Sequence, residues 1–304
     1  MEYSKEQISV EKPEKHKEQK DAVVSTENQQ EFFERLERTN ILPAEKREWS
    51  LDELKQNLDR TFCDCGQIAL AKNKGKIFLT LSGGLDSTLA LAFLRKNFPE
   101  NEIVTFAMGG SVNHPDVLHA RLAAEKFGSN HHEFIPEPGE IQEALAEHKS
   151  KFQEDDLEKV TKTGSVDVTL LYKYLSKFHP NVLLACDGID ELMGGYWDHR
   201  KRVSEDGKTV SEDERKQLFL RYWQELVPHH LSPLIKIGDN FGIGFLFPYL
   251  DQKIIESVSG IPLKDRTSKE VSKKPLREIA QELGVPKEII DRPKRGQVGM
   301  LDIK

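Results

Sequence analysis

The chain has 304 residues, of which 37% are hydrophobic and 31% are charged, and its formal net charge is −7. This length suffices for one large domain or two modest ones, and the negative charge argues against a general nucleic-acid binder. The three cysteines, Cys63, Cys65 and Cys186, are too few and too poorly spaced for a disulfide framework or a four-ligand zinc site. No apolar run is long enough to cross a bilayer, so we expect a cytoplasmic protein without a membrane segment.

The N-terminal part is predicted to contain a tail followed by a helical extension. Residues 1–28 are rich in Glu, Lys and Gln and have few apolar side chains, so we expect a disordered charged tail. Helical patterns follow over Gln30–Arg38 and Ser50–Arg60. We therefore predict a helical extension over residues 29–66 and one larger domain over residues 67–304.

The most informative stretch of the chain is Ser82–Ser87, which reads Ser-Gly-Gly-Leu-Asp-Ser. An apolar run typical of a buried strand precedes it and a helical pattern follows it, so its glycines and serines lie at a strand-to-helix turn. Such a turn binds anions through unpaired N–H groups and the helix dipole. Asp86 is unexpected beside a phosphate unless a divalent cation bridges the two. The turn lacks the Gly-Lys-Ser/Thr of a Walker A loop and resembles the pyrophosphate loop of ATP pyrophosphatases; the alternative is an ordinary serine-capped helix.

Strand and helix patterns alternate from this stretch to about residue 193. Buried strands are predicted over residues 76–81, 103–108, 132–135 and 181–186. Helices are predicted between them, over residues 88–94, 116–127, 140–148 and 166–178. This alternation predicts an α/β fold with a parallel, doubly wound sheet, in which ligands bind beyond the carboxyl ends of the strands. After about Met193 the pattern is mostly helical, so we expect the C-terminal half to pack over the sheet.

A second polar stretch, Asp187–Tyr196, follows the fourth predicted strand. It brings three carboxylates to the edge of the sheet where Ser82–Ser87 also lies, so we expect a cation or basic groups to compensate their repulsion. We expect Asp86 and Asp190 to share Mg²⁺ and thereby hold the phosphates of ATP. A solvated acidic turn is the alternative for Asp187–Tyr196 considered alone.

Five ordered motifs resemble the synthetase domain of glutamine-dependent asparagine synthetases. They are Ser82–Ser87, Asp187–Tyr196, Phe247–Asp251, Lys273–Glu278 and Asp291–Gly296. The resemblance runs from about Gly75 to Gly296 and implies the ATP pyrophosphatase fold, which is of the adenine nucleotide alpha hydrolase type. It also implies that a carboxylate is adenylated by ATP and that an amine or ammonia then attacks the acyl-AMP.

The resemblance assigns candidate site residues by position. Those implied to hold ATP are Leu81, Ser82, Gly83, Gly84, Asp86, Ser87, Met108 and Gly188. Asp86 and Asp190 are the implied Mg²⁺ ligands, and Lys273 and Arg277 are the implied catalytic cations. Asp155 and Glu158 occupy the places of a Glu-x-x-Asp pair that acts on the incoming amine, with the two residue types exchanged. The alternatives are a solvated basic helix face for the cations and an exposed acidic turn for Asp155 and Glu158.

Two departures from the family pattern concern the substrates. The family's Ser-Gly before the acidic loop is replaced by Ala185-Cys186, and its Glu-x-Arg by Gly244–Leu246, which removes polar groups near the expected acyl site. Residue 2 is Glu2 rather than the cysteine nucleophile of a glutaminase, so we expect the amine to come from ammonia, a separate glutaminase partner or an amine-bearing substrate. An adenylating tRNA-modifying enzyme and a non-catalytic ATP-binding subunit are the alternative functions, although the net charge makes nucleic acid an unfavoured partner.

Overall fold

The computed structural model describes residues 23–43, 48–152, 165–201 and 209–293. Five parallel strands form one sheet in the order β3-β2-β1-β4-β5. Their bounds are β1 (Lys76–Thr80), β2 (Glu102–Met108), β3 (Asn130–Phe134), β4 (Val182–Leu184) and β5 (Gly244–Leu246). The predicted α/β fold with a parallel, doubly wound sheet is therefore confirmed.

Fourteen α-helices are described; of the six before β4, the first two precede β1 and the other four lie between the strands. They are α1 (Gln29–Arg38), α2 (Leu51–Lys72), α3 (Leu85–Asn97), α4 (Pro115–Phe127), α5 (Pro138–Phe152) and α6 (Ser165–Ser176). The remaining helices are α7 (Ile189–Met193), α8 (Trp197–Arg200), α9 (Glu212–Leu226), α10 (Ser232–Asp239), α11 (Gln252–Ser259), α12 (Leu263–Arg266), α13 (Lys274–Glu282) and α14 (Lys287–Ile290). A π-helical turn, Val227–Leu231, joins α9 to α10, and a 3₁₀ turn, Pro248–Leu250, follows β5. None of the described helices combines the length and apolar character that crossing a membrane requires.

The strand order creates a switch point between β1 and β4. The chain moves outward from β1 through β2 to β3, then returns to the other side of β1 to form β4 and β5. Because crossovers between parallel strands are right-handed, the helices of the two halves lie on opposite faces of the sheet. The loops after β1 and β4 therefore separate at adjacent strand ends and leave a crevice, which is where such sheets bind ligands.

The apolar runs that predict strands are buried between these helix layers. β1 and α3 lie in the centre of the core, where Leu79, Leu89 and Phe93 have no exposed surface. A smaller cluster of buried residues, which includes Met108 and Phe134, fills the space between β2, β3, α5 and α6. The core thus fixes the strand ends from which the polar loops project.

The N-terminal and C-terminal parts differ from the sequence prediction in three respects. The second predicted helix continues to Lys72, beyond the expected boundary at residue 66, and its buried face joins the common core. Residues 1–22 of the expected tail lie outside the described residues, whereas Val24 is buried and pairs with Phe245 of β5. β5 itself was not predicted, because three residues that begin with glycine give no strand pattern. The division into tail, extension and domain stays a prediction.

A buried arginine fixes the helix that carries the acidic loop. Arg266 has no exposed surface and donates hydrogen bonds to three backbone carbonyls, those of Leu192, Ile261 and Ile41, at 2.8–2.9 Å. Burial lowers its pKa to about 9, which still leaves the guanidinium protonated at neutral pH. Arg266 therefore ties α7 to both the N-terminal segment and the C-terminal half.

Candidate active site

A cavity of about 340 Å³ lies at the switch point, beyond the carboxyl ends of β1, β2 and β4. It is lined by ten of the residues that the sequence assigns to the site. They are Leu81, Ser82, Gly84, Asp86, Ser87, Met108, Gly188, Asp190, Lys273 and Arg277. The cavity therefore brings together residues from three of the five motifs, and Arg292 of a fourth motif also lines it.

The loop between β1 and α3 is held in shape by its own serines. The Ser82 N–H donates to Ser87 Oγ at 3.2 Å, and the two hydroxyl oxygens are 3.1 Å apart. Gly83 has a positive φ of 66°, and a Cβ there would lie 2.4 Å from the backbone nitrogen of Ala120. Only glycine fits this left-handed, closely packed position. The N-cap residue of α3 is Gly84, which has no side chain to cap the helix, so it leaves the first N–H groups of α3 available to a ligand.

Lys273 lies between the two carboxylates that were predicted to hold Mg²⁺. Its Nζ is 2.5 Å from Asp86 Oδ2 and 2.6 Å from Asp190 Oδ1. All three side chains are largely buried, and Lys273 is 4% exposed. Lys273 is the N-cap residue of α13, and its φ is +54°. This backbone conformation is strained for a residue with a Cβ.

Gly195 and Tyr249 support the cluster that Lys273 forms with Asp86 and Asp190. A methyl group on Gly195 would overlap Asp190 Oδ1 and lie 2.5 Å from Lys273 Cε, so the cluster needs glycine at this position. The Tyr249 hydroxyl donates to the backbone oxygen of Asp86 at 2.8 Å and so anchors the start of α3. Burial raises the pKa of Tyr249, so it remains a neutral donor.

Two further cations from the C-terminal part reach the cavity. Arg277 on α13 donates from Nε to the backbone oxygen of Ser272 at 2.7 Å, and burial lowers the pKa of its guanidinium. Arg292 donates to the backbone oxygen of Gly83 at 3.0 Å and forms an ion pair with Asp116 on α4. Arg292 therefore connects the end of the described chain to the loop after β1.

The wall formed by β1, β2 and α6 is apolar. Leu81 and Met108, the two residues expected to flank adenine, both line it. Phe106, Val168 and Leu171 complete this part of the lining. Such a surface suits the flat, apolar face of a nucleobase.

The loop after β4 contributes acidic and aromatic groups. Gly188 has a φ of +89° and lets the chain turn sharply into α7. Glu191 accepts a hydrogen bond from the Tyr196 hydroxyl at 2.6 Å. Burial, together with the negative charge of Asp190, raises the pKa of Glu191, and burial likewise raises the pKa of Tyr196. Asp187 contacts His230 Nε2 from the π-helical turn.

The asparagine synthase family profile matches residues 69–232 and 211–301 of the chain. The chain belongs to the asparagine synthase family. The predicted resemblance is thus confirmed, and the matched residues include the whole cavity lining named above.

Two relatives illustrate the similarity. The glutamine-hydrolyzing asparagine synthetase of Mesocricetus auratus is 31% identical over 254 residues, and that of Homo sapiens is 30% identical over 253 residues. In both cases the match covers 81% of this chain and 43% of the relative. The chain therefore spans less than half the length of these asparagine synthetases.

Two solved structures show a partial similarity to this chain, with TM-scores below 0.5. NMN synthetase from Francisella tularensis is 16% identical with a TM-score of 0.45, over 83% of this chain and 78% of that protein. An NH3-dependent NAD synthetase from Campylobacter jejuni is 19% identical with a TM-score of 0.34, over 60% and 77% of the two chains.

Some members of the predicted site are not in the described cavity wall. Asp155 and Glu158, the candidate base pair of the asparagine synthase resemblance, lie outside the described residues. Gly83 is described but shapes the loop rather than lining the cavity. The roles of all the candidate residues stay predictions.

The structure also adds residues that sequence reasoning missed. Four residues line the cavity although the sequence motifs predicted no role for them: Asp116, Tyr172, Tyr196 and His230. Tyr196 ends the acidic motif and so could have been included, whereas the other three lie in helices or turns without a motif. Among the described residues, no group of three or more His, Cys, Asp and Glu side chains forms a metal site.

Proposed function

We propose that this chain is an ATP-dependent, AMP-forming carbon–nitrogen ligase that adenylates a carboxylate and transfers the acyl group to an amine or ammonia. The observation that carries the proposal is the buried Lys273, held between Asp86 and Asp190 beside the loop after β1. A fixed cation there stabilises charge that develops on transferring phosphates. Membership of the asparagine synthase family supports the same reaction class.

In the first step, a carboxylate oxygen of the substrate attacks the α-phosphorus of ATP, an O–P bond forms, and pyrophosphate leaves. The N–H groups of Ser82–Ser87 hold the pyrophosphate, and Lys273 neutralises the charge on the α-phosphate and the leaving group. Leu81 and Met108 flank adenine, Gly188 lies against the nucleotide, and Arg277 adds a second cation. The amine then displaces AMP from the acyl group.

The two carboxylates fit a magnesium ion as part of this site. Asp86 Oδ1 is buried and meets no hydrogen-bond donor within the described part of the chain, so it retains acceptor capacity. Asp86 and Asp190 would hold Mg²⁺, which typically binds through one or two carboxylates together with substrate phosphates. When bound, the ion neutralises phosphate oxygens, and Lys273 remains the cation that the protein itself supplies.

The proposed setting is the cytoplasm, with asparagine biosynthesis as the process and a small carboxylate, such as aspartate, as the substrate. The three cysteines are free thiols, which suits a reducing compartment. Ammonia, or ammonia delivered by a separate glutaminase subunit, is the proposed source of nitrogen.

Pyrophosphate–ATP exchange tests the proposal. The purified protein is incubated with Mg²⁺, ATP, labelled pyrophosphate and a panel of carboxylic acids that includes aspartate. We expect exchange that depends on one acid, and AMP as the nucleotide product when ammonium chloride is added. Ammonium chloride and glutamine are then compared as nitrogen sources. ADP as the product, or exchange that is unchanged in Lys273→Met, would refute the mechanism. ATP binding without exchange for any acid would favour the non-catalytic subunit, unless added tRNA restores activity.

A further inference from the structure

A histidine–carboxylate pair lines the cavity beside the proposed phosphate site. Asp187 lies three residues beyond the end of β4, and its Oδ1 contacts Nε2 of His230 on the π-helical turn. The His230 side chain is 38% exposed and that of Asp187 is 16% exposed. The pair is therefore open to a small substrate but largely shielded from bulk water on the carboxylate side.

The surroundings of the pair differ from those of the proposed phosphate site. Cys186 precedes Asp187 in the chain and also lines the cavity, as does Tyr172, a buried residue whose pKa is raised by burial and by the charge of Asp187. The cations Lys273, Arg277 and Arg292 come from the C-terminal part, and none of the ion pairs described for them involves Asp187.

Building on the proposed ligase function, we propose that the Asp187–His230 pair accepts the proton that the amine loses during amide formation. The amine enters as the free base, and its nitrogen attacks the acyl carbon of the acyl-AMP. A C–N bond forms, the C–O bond to the AMP phosphate breaks, and the electron pair leaves with AMP. The proton released from nitrogen passes to the imidazole of His230, and the carboxylate of Asp187 stabilises the resulting imidazolium.

Each member of the pair has a distinct part in this step. A neutral imidazole accepts protons efficiently near neutral pH. A carboxylate hydrogen-bonded to the ring fixes the tautomer and ring orientation and stabilises the charged form, without itself taking the proton. His230 is therefore a catalytic residue, and Asp187 is its positioning residue. The asparagine synthase resemblance gives this role to Asp155 or Glu158, so the two assignments predict different inactive variants.

The test separates the two half-reactions in wild type, His230→Gln, Asp187→Asn and the control His229→Gln. His229 is the adjacent exposed histidine and does not line the cavity. Pyrophosphate exchange is measured with the acid that the panel identifies, and amide formation is measured with ammonium chloride. We expect His230→Gln to lower amide formation about 100-fold or more while exchange persists, as loss of a general base does. Asp187→Asn should give a smaller loss, and His229→Gln should match wild type.

Two further measurements exclude a merely structural role. Hydroxylamine, a more reactive amine that is unprotonated at neutral pH, should trap the acyl-AMP of His230→Gln at nearly the wild-type rate. Added imidazole should restore part of the ammonia-dependent activity of His230→Ala. Wild-type amide formation by His230→Gln, or equal losses of exchange and amide formation, would overturn the assignment. Absence of exchange in the wild type would instead refute the ligase function itself.

Discussion

The lysine between two buried carboxylates makes a quantitative prediction about stability. Lys273→Met removes the charge but keeps an unbranched side chain with a Cβ, so the backbone at φ +54° is strained to the same degree. Asp86 and Asp190 then face each other without the cation that now lies 2.5 and 2.6 Å from them. Removing one partner of a buried ion pair costs about 3–5 kcal/mol. We expect this loss in the free energy of unfolding without nucleotide or metal.

The comparison variant is Asp190→Asn, which leaves Lys273 paired with Asp86. Its expected cost is smaller, about 1–3 kcal/mol, because the amide oxygen still accepts a hydrogen bond. Urea unfolding followed by tryptophan fluorescence in the presence of EDTA measures both values. Asp190→Asn should also abolish Mg²⁺-dependent activity while the protein stays folded.

The decisive measurement compares the free energy of unfolding with and without magnesium. A ligand that binds only the native state stabilises it, so MgCl₂ should stabilise Lys273→Met more than wild type, since the variant offers two uncompensated carboxylates. The double variant Lys273→Met with Asp190→Asn should lose this extra stabilisation, and NaCl at equal ionic strength controls for screening. Equal stability of Lys273→Met and wild type, or an equal response of both to MgCl₂, would refute this account of the cluster.

Three further predictions concern single positions. Gly195→Ala should lower activity at least 100-fold with a folded protein, because its Cβ displaces Lys273 and Asp190; steady-state kinetics and circular dichroism check this. Arg292→Gln should raise KM for ATP severalfold with little change in kcat, because the loop after β1 loses the bond to Gly83; an unchanged KM would contradict it. Burial raises the pKa of Asp167 to about 7, above its unfolded value, so stability should fall as pH rises from about 4 to 7. Asp167→Asn should remove that slope and gain up to about 4 kcal/mol at pH 8, as urea unfolding across pH would show.

The sequence was sufficient to predict four of the five strands and the two loops at the edge of the sheet. The strands are continuous apolar runs, and the loops Ser82–Ser87 and Asp187–Tyr196 follow such runs directly, so their common location follows from the topology of parallel sheets. β5 escaped prediction because its three residues are defined by pairing with β4 rather than by any local pattern. The length of α2 was underestimated because its C-terminal part buries Phe62, Gly66 and Ala69, of which only Phe62 is a large apolar residue.

Pairings across the site were less predictable than the motifs. Lys273 was expected near the phosphates, but its contact with Asp86 joins residues 187 positions apart, and the sequence contains no signal for that distance. His230 lies next to an exposed histidine in a π-helical turn, and nothing local distinguishes the two residues. Such contacts depend on how the C-terminal helices pack over the sheet, which is a property of the whole core.

The two departures from the family pattern have different structural consequences. Cys186 lines the cavity next to Asp187 and Tyr172, so the change there does alter the wall where the acyl group is expected. Leu246 is 1% exposed within β5 and, among the described residues, is not part of the cavity lining. Phe245 packs against Tyr172 with ring centroids 5.6 Å apart. The replacement of polar residues in β5 therefore changes the hydrophobic core and not the cavity wall. Differences in substrate choice should be sought around Cys186.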